Sequence, residues 1–96
     1  MPDIFLLTKP PNHSRAKLCL KLLKRSANSR LYLCGDGIFC ILNSLDDLLP
    51  PERIFICKED MDARGVQAKS QATILDDFYE QLVYDSMDES DRVLTF

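Results

Sequence analysis

The sequence predicts an α/β fold: a mainly parallel sheet of five strands with helices on both faces. Three observations predict it. Short apolar runs alternate with stretches of helical period along the chain. The runs are continuous rather than alternating, as in strands buried on both faces. The stretch Leu31-Tyr32-Leu33-Cys34-Gly35-Asp36-Gly37-Ile38-Phe39-Cys40-Ile41-Leu42 joins an apolar strand to a helix through a small, acidic turn. In open α/β sheets, ligands and chemistry gather at such strand-to-helix junctions.

Asp3-Ile4-Phe5-Leu6-Leu7-Thr8 reads as the first strand. Lys9-Pro10-Pro11-Asn12 ends it, because two prolines cannot extend a central strand. A helix is expected from His13 or Ser14 to about Arg25. Ala16, Cys19, Leu20 and Leu23 recur at helical spacing, with Lys17, Lys21, Lys24 and Arg25 on the other side. Ser14 is the expected N-cap, and Lys24 and Arg25 suit the negative end of the helix dipole. Arg30 to Cys34 reads as the second strand and Gly35-Asp36-Gly37 as its turn. Ile38 to Asn43 starts a short helix. Ser44 is expected to cap a further turn through Leu45–Leu49, which Pro50 and Pro51 stop.

Glu52 to Cys57 reads as the third strand. In Lys58–Gly65 the acids come first, Arg64 comes last and a glycine lies just beyond, the order that suits a helix dipole and a glycine C′ cap. Val66 to Ala72 is polar, and Thr73-Ile74-Leu75 reads as a short fourth strand. Asp76 is expected to cap a helix to about Ser86 that keeps Phe78, Tyr79, Leu82 and Val83 on one face. After an acidic loop, Asp91 to Phe96 forms a fifth strand whose direction stays open.

With 96 residues the chain has room for one domain, spanning 1–96. A hydrophobic share of 46% and charges of mixed sign argue against disorder. The net charge of −3 gives no reason to expect direct nucleic-acid binding. The charge is unevenly spread. Residues 1–57 hold eight Lys/Arg against five Asp/Glu, and residues 58–96 hold four against ten, so the parts carry +3 and −6. Two solvated faces explain this, as does a basic surface that meets an acidic one on a neighbouring subunit. The start Met1-Pro2-Asp3 lacks the basic region of a signal peptide, and no apolar run has the length to cross a membrane. A cytoplasmic protein with reduced thiols is therefore expected.

Candidate chemistry rests on the cysteines. Cys19, Cys34, Cys40 and Cys57 form no CxxC pair and there is a single histidine, so zinc-site spacing is absent. Cys34 and Cys57 end strands just ahead of helix starts, where a thiolate can be favoured. Each also reads as a small buried hydrophobe. By period alone, Cys19 and Cys40 are core residues. Asp36, between two glycines, either caps the next helix or meets a ligand or partner. His13 reads as a surface residue or a cap. The basic helical stripe reads as a solvated face. The dinucleotide fingerprint, the P-loop and the nucleophile elbow are all absent.

The chain resembles the DsrH/TusB family of small sulfur-relay proteins, within the DsrEFH-like superfamily. Thr8-Lys9-Pro10-Pro11 resembles the family's first strand followed by Lys-Ser-Pro. Leu31 to Ile38 is similar to its apolar strand followed by Asp-Gly-Val or Asp-Gly-Ile. Ile54 to Gly65 is similar to its strand, an acidic residue and Ala-Arg-Gly. Asp77-Phe78 and a terminal strand also fit. The resemblance implies a three-layer α/β/α fold around a five-stranded sheet, and no cofactor or metal. It implies work in complexes that pass persulfide sulfur, for 2-thiouridine synthesis at the tRNA wobble position or for sulfur oxidation. Implied partners are DsrE/DsrF-like or TusC/TusD-like subunits, or further copies of the chain, together with sulfur-carrier proteins. Cys19-Leu20-Lys21 matches a Cys-Leu-Lys run in the first helix of the DsrH branch, although the link from Lys9 is one residue shorter. The TusB branch lacks this cysteine. Cys19 is thus the first candidate for a sulfur-bearing thiol and Cys34 the second. The alternative is a structural subunit that carries no sulfur itself.

Overall fold

The computed structural model describes residues 3–25, 29–42, 53–66, 73–89 and 92–96. The expected turn after Ser44, the connector at Ser26–Asn28 and most of the polar stretch after Val66 lie outside them. Five strands form one sheet: β1 (Asp3–Leu7), β2 (Ser29–Leu33), β3 (Ile54–Cys57), β4 (Thr73–Leu75) and β5 (Arg92–Thr95). Their order is β4-β3-β2-β1-β5, and every neighbouring pair is parallel. The direction left open for the last strand is thereby decided.

The helices are α1 (Ser14–Arg25), a 3-10 helix (Gly35–Leu42), α2 (Lys58–Ala63) and α3 (Phe78–Tyr84), which runs into a π turn (Asp85–Glu89). From β1 to β4 the chain steps in one direction. Right-handed crossovers then stack their helices on one face of the sheet. The step from β4 to β5 runs the other way and places α3 on the opposite face. The two cores follow this division. Phe5, Leu7, Leu31, Leu33, Ile54 and Ile56 pack under α1, the 3-10 helix and α2. Ile4, Tyr32, Cys34 and Cys57 pack under Phe78 and Leu82 of α3. The expected three-layer α/β/α architecture is present.

Local chemistry explains most boundaries. The Lys17 amide donates to the His13 carbonyl, and the Arg15 amide donates to His13 Nδ1 at 3.1 Å. His13 is therefore the residue that caps α1, and Ser14, the expected cap, is its first helical residue. At the end of α2, the Gly65 amide donates to the Asp62 carbonyl and the Val66 amide to the Met61 carbonyl. With Gly65 at φ +64°, this is a Schellman cap. Met61 and Val66 close it by packing in the same core. Asp77, one residue later than expected, precedes α3. The helix buries only half of the expected face. Phe78 is buried and Leu82 half-buried, whereas Tyr79 and Val83 are exposed.

Candidate functional site

The carboxyl ends of β1, β2, β3 and β5 meet at one edge of the sheet. At the β1–β5 seam, the Thr8 amide and hydroxyl both donate to the Phe96 carbonyl, the hydroxyl at 2.7 Å. At β2, Cys34 donates its amide to the Leu7 carbonyl, and the Gly37 amide returns to the Cys34 carbonyl. This folds Gly35-Asp36-Gly37 tightly against β1.

Two of the motifs singled out in the sequence meet here. The Gly35 amide donates to Asp60 Oδ2 at 2.8 Å. Arg64 Nε lies 3.2 Å from Asp36 Oδ1, and Arg64 Nη1 lies 3.6 Å from Asp60 Oδ1. Arg64 thus ties the Gly-Asp-Gly turn to the start of α2. Asp36 acts through this ion pair and not as a helix cap. Neither Asp60 nor Arg64 stood out as a site residue by type. Their signal was their place inside a recurring motif.

The four thiols are all buried and reduced, and they divide between the two faces. Cys19 is 0% exposed in the core beneath α1, near Cys40. Burial, and secondarily Cys40, push its thiol up to about 12. Cys40 donates its thiol to the Lys9 carbonyl at 3.7 Å, and burial pushes it up to about 11. Cys34 and Cys57 lie on the other face, beneath α3, at the sheet's edge. Cys34 is 6% exposed. Burial pushes its thiol up to about 11, Asp60 and Cys57 add to the rise, and the Tyr79 hydroxyl and Arg64 oppose it. Burial also raises Cys57, against the pull of the Asp60 amide. Tyr79 is the contact to Cys34 that periodicity hid, since its spacing reads as core.

These thiols tie stability to alkaline pH. Each has a folded pKa above its ordinary 9.0, so folding favours the protonated form. That contribution is complete below pH 9 and is lost as pH rises towards 11–12. The urea midpoint is expected to fall between pH 8 and pH 10, and Cys19→Ala to flatten that slope. Equal slopes in the parent and the variant would remove Cys19 from this account.

Elsewhere, Lys17, Lys21, Lys24 and Arg25 are exposed along α1. Among the described residues, no group of three or more His, Cys, Asp or Glu is placed to hold a metal ion, and no helix is long and apolar enough to cross a membrane.

Comparison with known proteins agrees with this geometry. No curated protein matches the sequence. The solution NMR structure of protein Tm0979 from Thermotoga maritima matches with a TM-score of 0.60 and 22% identity, covering 92% of this chain and 99% of that one. At that identity the match speaks for the fold. A family model described as DsrH like protein matches residues 9–92, a span that holds the Gly-Asp-Gly turn, Arg64 and all four cysteines. With that span and this sheet, the chain belongs to the DsrH-like family.

Proposed function

We propose that the protein is a cytoplasmic subunit of a sulfur-relay assembly. It takes part in persulfide transfer of the kind used in tRNA wobble-uridine 2-thiolation or in sulfur oxidation. The family match over residues 9–92 carries this reading. The sheet edge supports it with a thiol beside a hydroxyl donor. The Cys34 thiolate attacks the outer sulfur of a donor persulfide. The donor's S–S bond breaks, the donor leaves as a thiol, and Cys34 holds the persulfide for the next acceptor. The Tyr79 hydroxyl favours the attacking anion. Packing favours Cys34 over Cys19, because Cys19 lies on the buried face of α1 with 0% exposure and a donor reaches it only if that helix opens.

Relay requires docking. Tyr79, Val83, Tyr84 and Met87 are exposed on one side of α3 and the π turn, around an open groove of about 570 Å³ that also includes Glu80. An apolar face of this kind suits a partner subunit, whether a DsrE/DsrF-like or TusC/TusD-like chain or another copy of this one.

A second reading, a structural subunit that carries no sulfur, draws on the burial of all four thiols. Incubation with a persulfide donor, followed by mass spectrometry, separates the two. One added sulfur is expected on Cys34, absent in Cys34→Ala and retained in Cys19→Ala. Sulfur on no cysteine, under conditions that load a partner, would establish the structural reading. Sulfur on Cys19 would make it the carrier in place of Cys34.

A further inference from the structure

Cys34 and Cys57 stand opposite each other. The β2–β3 register pairs Leu31 with Ile54, Tyr32 with Phe55 and Leu33 with Ile56. The next positions in line are Cys34 and Cys57. Both side chains point to the α3 face, two residues beyond Tyr32 and Phe55, whose rings stack at 4.7 Å. Neighbouring strands lie about 4.8 Å apart. A disulfide spans Cα separations of roughly 4.4–6.8 Å. Continued by one residue, the register therefore sets the Cα atoms of Cys34 and Cys57 within the span of a disulfide, and both thiols are reduced here.

We propose that Cys34 and Cys57 form a two-thiol redox site that reduces small, cationic disulfides and closes an interstrand disulfide as it does so. Access favours Cys57 as the attacking thiol, because it lines a cavity of about 150 Å³ at the edge of α3. Around Cys57 that cavity carries Glu59, Asp76, Asp77 and Glu80, and Lys58 lies 3.4 Å from Asp76. The four carboxylates outweigh the one ammonium, so the mouth attracts cationic disulfides and repels anionic ones.

The chemistry closes in two exchanges. Cys57, as the thiolate, attacks one sulfur of the small disulfide. It forms a mixed disulfide and releases the first small thiol, which takes up the proton Cys57 lost. Cys34 then attacks the Cys57 sulfur and releases the second small thiol; burial raises the Cys34 thiol, and the Tyr79 hydroxyl opposes part of that rise. Two electrons pass from the protein dithiol to the small disulfide, and both thiol protons end on the released thiols. The site stands whether or not the chain carries relay sulfur.

The test is to incubate the full chain with cystamine, quench with acid, alkylate, and digest both after Lys/Arg and at Asp36, so that Cys19, Cys34 and Cys40 fall on separate peptides. A Cys34–Cys57 linkage is expected, with Cys19 and Cys40 still alkylatable. Anionic glutathione disulfide should react severalfold more slowly. Cys34→Ser should stop at a cysteamine adduct on Cys57, and Cys57→Ser should form no link. A parent protein that stays at the mixed disulfide, links through Cys19 or Cys40, or does not react would overturn the proposal. So would a linking rate that rises with the unfolded fraction in mild urea, because the folded register would then not be what brings the thiols together.

Discussion

Gly37→Ala is expected to lose at least about 3 kcal/mol of stability, the upper end of the usual cost of overpacking. A Cβ at Gly37 would overlap the Leu7 carbonyl oxygen and come within 2.8 Å of the Leu7 carbonyl carbon. Both are backbone atoms of a central strand, so no side chain can swing aside to make room. The Leu7 carbonyl is also held in place by the Cys34 amide. For a chain of this size the loss corresponds to a drop of more than about 12 °C in Tm. Gly35→Ala and Gly65→Ala make useful comparisons. Gly35 at φ +56° and Gly65 at φ +64° need the left-handed conformation, yet neither meets a neighbour closer than 3.6 Å. Each should cost about 1–2 kcal/mol. A Gly37→Ala protein with a Tm as high as those two would mean that β1 and the turn can separate without loss.

Asp85→Ala is expected to cost about 3 kcal/mol. Asp85 is buried at the start of the π turn, and three groups converge on it. Tyr32 donates its hydroxyl to Oδ2, Arg30 Nη1 lies 3.0 Å from Oδ2, and Gln81 Nε2 donates to Oδ1 at 3.2 Å. Removing one member of a buried pair costs roughly 3–5 kcal/mol. The lower end applies because the Arg30 side chain keeps 32% of its surface in water. Asp85→Asn retains an acceptor for Tyr32 and should lose less. Tyr32→Phe in the Asp85→Ala background should add little, because the hydroxyl has already lost its acceptor. Urea unfolding of the parent, Tyr32→Phe, Asp85→Ala and the double variant measures the coupling. Fully additive losses would show that Tyr32 and Asp85 do not act together.

Asp85 also shows why part of the architecture was not legible in the chain. Near the end of the helix expected to run to about Ser86 and just ahead of an acidic loop, it carries no local mark of burial. Its value comes from β2, more than fifty positions away, where Arg30 and Tyr32 wait on the α3 face. Helical spacing puts Phe78, Tyr79, Leu82 and Val83 on one face, yet Tyr79 and Val83 stay exposed. Spacing fixes which residues share a face, but not which of two adjacent faces turns inward. Phe78 and Leu82 took that place because the sheet beneath offers Ile4 and Tyr32 to pack against. His13 caps α1 through its ring nitrogen, a bond that depends on the path of the preceding prolines as much as on residue type.

The sequence by itself determined the strand and helix order, the parallel sheet, the Gly65 cap and the DsrH-like resemblance. These follow from local terms: continuous apolar runs, helical period, turn glycines and the order of charges around α2. Only the tertiary structure decided the direction of β5, the Arg64 tie between the Gly-Asp-Gly turn and Asp60, and the fate of each cysteine. A cysteine carries no local mark of whether it will be packed or poised, because the same small side chain serves both. Crossover and register set the difference. They sealed Cys19 on the buried face of α1 and brought Cys34 opposite Cys57 at the edge of the sheet.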